Sequence, residues 1–231
     1  MTITIVGLDA DDTLWHSERV FRLTQDRFNE LLAPYADAAT LEARLAETER
    51  RNLGVFGYGA KGFTLSMVET ALEVSGRSVS ADVIGEILAA GREMMTHPVE
   101  PLPGVETALE ELSGERRLAL ITKGDLFHQE SKLASSGLGE FFAGVEIVSE
   151  KNADTYRSIF ERHGAGAEHA VMVGNSVRSD ILPALEAGCY AALVPYPIVW
   201  VNEAADAPTA HPRFKELHSL AELPAWLAEI P

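Results

Sequence analysis

Three carboxylates, Asp9, Asp11 and Asp12, fall within four positions directly after the apolar run Ile3-Thr4-Ile5-Val6-Gly7-Leu8. The run reads as a buried parallel strand, which puts the carboxylates at its carboxyl end, where open α/β sheets place their chemistry. Asp9 and Asp11 are two apart and share one side while the chain stays extended. Like charges this close repel, and a bound divalent cation is the usual offset. The bland alternative is an Asx-type turn in which Asp and Thr13 cap a helix. More polar groups follow at the ends of later apolar runs: Thr122 after Leu118-Ala119-Leu120-Ile121, Lys151 after the run ending at Val148, and Asn175 after Val171-Met172-Val173-Gly174.

These groups need elements to carry them. Trp15 to roughly Thr96 reads as almost all helix: Trp15 to Tyr35, Thr40 (as N-cap) to Asn52, Phe63 to Val74, and a fourth helix opening after Ser80. From Pro101 the pattern changes. Strands at 117–122, 144–148, 169–174 and 190–194 alternate with helices at 104–112, 125–136, 154–163 and 179–187. Such alternation means a doubly wound, Rossmann-like parallel sheet. Residues 195–212 read as loop, and 220–230 as one more helix. The first strand is thus separated from the others by a helical block. The expected organisation is an α/β core from 1–16 and 97–231, with a helical cap domain inserted at 17–96.

Composition narrows the partners. The chain has 231 residues, 46% of them hydrophobic, and a formal net charge of −16. That charge argues against nucleic acid, which needs clustered Lys and Arg. No apolar run is long enough to span a bilayer. A single cysteine, Cys189, excludes an intramolecular disulfide framework and reads as a buried, inert thiol. Met1 leads straight into the strand without a basic stretch or cleavage site, so a cytoplasmic location is expected. An anionic substrate would need local cations: a metal, a lysine, or helix N-termini. The oligomeric state stays open.

The segment Asp9-Ala10-Asp11-Asp12-Thr13 resembles the DxDx[TV] signature of the haloacid dehalogenase-like superfamily, and the likeness extends over essentially the whole chain, cap included. Most members are magnesium-dependent phosphohydrolases. The resemblance implies that Asp9 is a nucleophile forming an aspartyl-phosphate and Asp11 the general acid and base. Dehalogenases lack a carboxylate at the position of Asp11, because a halide needs no proton; its presence favours phosphate chemistry. Asp12 stands where many members have glycine and is expected to be a turn or solvated residue. Thr122 resembles the second motif, with the backbone N–H groups of Lys123 and Gly124 as added donors to a phosphoryl oxygen. Lys151 is taken as the lysine of the third motif, in preference to Lys132, whose mid-helix place suggests a solvated surface. Asn175-Ser176-Val177-Arg178-Ser179-Asp180 resembles the acidic fourth motif, with an amide at the first acidic position. The implied Mg²⁺ ligands are Asp9, Asp11, Asn175 and Asp180, with Asp180 binding directly, through water, or by orienting Lys151.

Substrate choice is expected to lie in the glycine-rich stretch Gly54–Gly62, read as a loop, with Phe56, Tyr58 and Lys61 as substrate contacts; the alternative is a turn whose aromatics pack under the cap. His16 and Glu18 lie at the cap entrance. The expected activity is hydrolysis of a small phosphorylated metabolite. Rivals are a phosphotransferase or mutase of the same fold, a dehalogenase, a phosphonate hydrolase using Lys61, and a weakly catalytic binding protein.

Overall fold

The computed structural model describes residues 2–230. They divide into two compact units: one takes the chain up to Glu18, Val99–Lys123 and everything from Gln129 on, the other Arg19–Pro98 with Gly124–His128.

The first unit is an α/β sandwich. Its strands are β1 (Ile5–Leu8), β2 (Arg117–Lys123), β3 (Gly144–Val148), β4 (Ala170–Gly174), β5 (Tyr190–Leu193) and β6 (Phe214–Glu216). Among the described residues they form one sheet of order β3-β2-β1-β4-β5-β6, and every pairing is parallel. β1 is central, and all four of its residues are buried. Alternation along the strands feeds two cores. Val6, Leu8, Leu118, Leu120, Val171 and Val173 pack with α5 (Val105–Glu115) and α9 (Leu223–Glu229). Ile5, Ala119, Ile121 and Met172 pack on the other face with Tyr156, Ile159 and Phe160 of α7 (Ala153–His163) and Ala184 of α8 (Leu182–Ala187). Burying both faces is what a parallel sheet requires. Cys189 lies fully buried in the second core, and burial pushes its thiol up to about 12.

Three features differ from the sequence expectation. β6 lies in a stretch with no strand pattern: it is three residues long, and two of them are exposed and charged. Within 195–212, Val201–Glu203 forms a 3₁₀ turn. The helix expected from Ser179 is a π-helical turn, Val177–Ile181, before α8, which has a proline at its second position.

The second unit holds α1 (Glu18–Leu32) from Arg19 on, α2 (Ala38–Phe56), α3 (Ala60–Val74) and α4 (Ala81–Met95), closed around Phe28, Leu32, Leu41, Leu45, Met67 and Ile87. Ser80 caps α4 by accepting from the Val83 N–H. The cap of α2 is Asp37, accepting from the Thr40 N–H, and not Thr40 itself. The expected loop from Gly54 to Gly62 is mostly helix. α2 continues past Asn52, whose amide donates to Ser66 and Glu69 of α3, and the turn is only Gly57-Tyr58-Gly59. Gly57 and Gly59 have φ of 71° and 104°, which suit residues without a Cβ. No helix among the described residues is long and apolar enough to cross a membrane.

Candidate active site

β1 lies between β2 and β4, so connections leave its carboxyl end to both sides; in open α/β sheets this is where ligands enter. The Asp9 N–H continues the ladder one residue further, donating to Val173 O at 2.9 Å. The Asp9 carboxylate accepts from Lys151 Nζ. Lys151 follows β3, its side chain is 2% exposed, and it also donates to Asp180 Oδ1 at 2.7 Å. Asp180 sits in the π turn and is itself 1% exposed; its other oxygen accepts from the Ser176 N–H at 3.0 Å. The widened turn is anchored by the Tyr156 hydroxyl, which donates to Ser179 O at 2.9 Å. Gly174 makes room for this carboxylate: a Cβ there would lie 2.2 Å from Asp180 Oδ2. The lysine is thus shared by two buried carboxylates, which hold it charged. Burial pushes Asp9 up to about 7, against the pull of Lys151.

Asp11 occupies a different setting. Residues 10–15 fold back on themselves, with Thr13 and Leu14 N–H groups donating to Ala10 O and the Asp12 N–H to Trp15 O. Trp15 is therefore fully buried ahead of α1 and not part of it, and its Nε1–H donates to Asp11 Oδ1 at 2.8 Å. Lys132 Nζ donates to the same oxygen at 2.5 Å, and Gln129 Nε2 to Oδ2 at 3.1 Å. Both lie on α6 (Leu126–Ser136). Lys132 is accordingly no solvated lysine: its side chain is 12% exposed and its charge is spent on Asp11. Enclosure raises the Asp11 carboxyl, but Lys132, Trp15 and Gln129 together outweigh it and hold the group below its ordinary value. Lys132 reads in the sequence only as the rival of Lys151, and nothing in the spacing of α6 marks Gln129, because Asp11 lies 121 and 118 positions away from them.

Asp12 is a turn residue, with φ of 61°, but it is buried and not solvated. Its carboxylate accepts from the N–H groups of Ser17 at 2.8 Å and Glu18 at 3.0 Å, at the start of α1. Burial pushes it up to about 7.

Thr122, at the end of β2, is buried and accepts from Gln129 Nε2 at 2.8 Å, so the one amide joins it to Asp11. The Lys123 side chain turns into a polar cluster, donating to Ser179 Oγ at 2.7 Å and Glu203 Oε1 at 2.8 Å. Glu203, from the stretch read as plain loop, also accepts from Ser176 and Ser179. Gly124 follows with φ of 136°. His16 meets the Tyr196 hydroxyl at 2.7 Å. In the helical unit, Phe56 ends α2 half exposed, Tyr58 stands in the turn, and Lys61 pairs with Asp125 at 2.9 Å and lies 5.7 Å from the Phe127 ring centre.

Oxygen donors that suit magnesium stand beside the nucleophile position. The Thr13 hydroxyl lies 3.2 Å from Asp9 Oδ2 and 3.3 Å from Asn175 Oδ1, so a carboxylate and an amide oxygen converge on one hydroxyl. These hard oxygens suit Mg²⁺, which is commonly held by one or two carboxylates with waters and substrate phosphate completing its shell. No three His, Cys, Asp or Glu side chains gather as a metal cage among the described residues. Each oxygen of Asp180 already accepts from a protein donor, as does each oxygen of Asp11.

The chain is 40% identical to a haloacid dehalogenase-like family hydrolase from Xanthomonas campestris of known structure, with a TM-score of 0.89 over 99% of this chain and 91% of that one. It is 32% identical to the N-acylneuraminate-9-phosphatase of Rattus norvegicus over 54% of this chain and 51% of that protein. It is 35% identical to the glyceraldehyde 3-phosphate phosphatase of Methanothermobacter thermautotrophicus over 42% of this chain and 45% of that protein. The chain thus matches about half the length of these curated relatives, which are phosphatases of small phosphorylated metabolites. Residues 3–188 match the family profile described as haloacid dehalogenase-like hydrolase. With its parallel sheet, its helical insertion after β1 and that match, the chain belongs to the haloacid dehalogenase-like hydrolases.

Proposed function

We propose that this protein is a Mg²⁺-dependent phosphomonoester hydrolase that acts on a small phosphorylated metabolite through an aspartyl-phosphate on Asp9. One observation carries the reading: two carboxylates two residues apart stand in separate environments, Asp9 against the buried Lys151 and Asp11 against Lys132, Gln129 and Trp15. Different surroundings suit different roles, nucleophile and proton carrier. A halide leaving group would have no use for the second carboxylate.

In this reading an Asp9 oxygen attacks phosphorus as the bond to the leaving oxygen breaks. Lys151 faces the nucleophile and Thr122 offers its hydroxyl to a phosphoryl oxygen. Asp9 and Asn175 would hold the magnesium, which when bound neutralises charge between nucleophile and phosphate. Asp180 holds Lys151 in place. Asp11 is ionised in the free enzyme, as its lowered pKa implies. An ester arriving as its monoanion brings a proton, since the second phosphate pKa is about 6. That proton passes through Asp11 to the leaving oxygen. Water then attacks phosphorus, the Asp9–phosphate bond breaks, and Asp11 takes the proton from water.

The test is a screen of phosphorylated metabolites with Mg²⁺ and with chelator, wild type beside Asp9→Asn. Turnover that needs Mg²⁺ and vanishes in the folded variant is expected. Wild-type activity in Asp9→Asn, or no ester turned over at all, refutes the reading. Transfer of phosphate to a hydroxyl in place of water would mark a phosphotransferase.

A further inference from the structure

We propose that Lys132 and Gln129, three residues apart on one face of α6, are positioning residues: they clamp the two oxygens of Asp11, one donor to each, and fix the direction along which Asp11 passes its proton. The inference rests on the proton-carrying role given to Asp11 above and extends it to a helix that no motif marks.

The geometry is specific. Lys132 Nζ takes Oδ1 at 2.5 Å, where Trp15 Nε1 also donates at 2.8 Å; Gln129 Nε2 takes Oδ2 at 3.1 Å. With Trp15 alone, the carboxylate would be held at one oxygen and free to swing at the other. The second donor fixes its plane. Proton transfer depends on that plane, because the transferred proton must lie within hydrogen-bond reach along a usable direction.

Gln129 also accepts an unfavourable arrangement. Its Nε2 faces three acceptors, Asp11 Oδ2, Thr122 Oγ1 and Lys123 O, with two hydrogens to share. Its Oε1 is buried and has no partner among the described residues. A buried acceptor without a donor is costly and calls for a reason. Here the amide is turned so that its donors serve Asp11 and Thr122. Lys132, for its part, gives up the solvent that a mid-helix lysine ordinarily keeps.

A plain structural ion pair would show the same contacts, so the test must separate the two. Lys132→Met, Lys132→Arg and Gln129→Met are compared with wild type on an alkyl phosphate and on an aryl phosphate, with circular dichroism and melting curves as folding controls. Lys132→Met is expected to lower kcat on the alkyl ester by about 10²-fold, the usual cost of a small misplacement at a reacting group, with KM unchanged. The aryl ester, whose leaving oxygen hardly needs a proton, should lose much less. Lys132→Arg should recover most of the loss, and Gln129→Met should repeat the pattern; it carries the test if Lys132→Met fails to fold. Equal losses on both esters overturn the proposal, because they mean a structural role. A raised KM with unchanged kcat also overturns it, making Lys132 a substrate contact. Unchanged kinetics in folded Lys132→Met do the same while leaving the phosphatase reading intact, provided the wild type needs Asp9. A wild type that turns over no ester removes the reading and the inference together.

Discussion

Gly174→Ala puts the smallest side chain into the most crowded point of the site. The added Cβ would lie 2.2 Å from Asp180 Oδ2 and 2.3 Å from its Cγ, where ordinary contact begins at 3.4 Å. The carboxyl group must therefore retreat by more than about 1 Å, the scale at which packed side chains cease to fit. It cannot do so freely, because one oxygen is held by Lys151 at 2.7 Å and the other by the Ser176 N–H at 3.0 Å, all buried. Losing the partner of a buried charge costs about 3–5 kcal/mol. At roughly 2–4 °C per kcal/mol for a chain of this size, melting should fall by about 10 °C. Lys151, released from Asp180, no longer points at Asp9, and a misplacement of about 1 Å should cost some 10²-fold in kcat/KM. The backbone of Gly174 is not left-handed, so the clash alone is being measured. Gly85→Ala is the control: nothing lies within 4 Å of its Cβ position on α4, and its stability should hold or rise. The assay is thermal melting by circular dichroism with steady-state kinetics on the preferred ester. If Gly174→Ala melts with the wild type and keeps its activity, Asp180 does not place Lys151, and the positioning role fails.

Two further outcomes test neighbouring groups. Asn175→Asp adds a charge beside the Thr13 hydroxyl that it shares with Asp9, so half-saturation by Mg²⁺, measured by calorimetry, should fall; an unchanged titration would remove Asn175 from the metal's ligands. Asp12→Asn removes a carboxyl that burial pushes from 3.8 to about 7 while keeping an acceptor for the Ser17 and Glu18 N–H groups. The folded state of the wild type then binds more protons than the unfolded state between those values, so its Asp12 contribution to stability falls as pH rises through that window. The melting temperature of wild type relative to Asp12→Asn should decline from pH 4 to 7; parallel curves would refute the assignment.

Much of the fold was legible in the chain because its causes are local. An apolar β-branched run makes a buried strand, and Ser80 before an amphipathic stretch makes a helix start. Alternation after Pro101 leaves few arrangements besides a parallel sheet with helices on both faces. Where local signals are thin, tertiary contacts decide the structure. β6 has three residues and is held as a strand by its parallel pairing with β5, a contact the local pattern does not carry. Gly54 is a locally helix-weakening residue, yet α2 runs through it, with Asn52 anchored to Ser66 of α3.

The candidate site divides in the same way. The sequence by itself determined which chemically able residues stand at strand ends: Asp9, Thr122, Lys151 and Asn175 each follow or close an apolar run, and a run's end is a local property. Only the tertiary structure decided who meets whom. The strand order brings Lys151, beyond β3, to Asp9, beyond β1, although β2 lies between them. The packing of α6 turns Lys132 from an unremarkable helix residue into the partner of Asp11, and the fold-back at 10–15 buries Asp12 and Trp15. The physical reason is range: periodicity and caps are set by neighbours within a few residues, whereas an ion pair across 121 positions exists only once the sheet has fixed both ends.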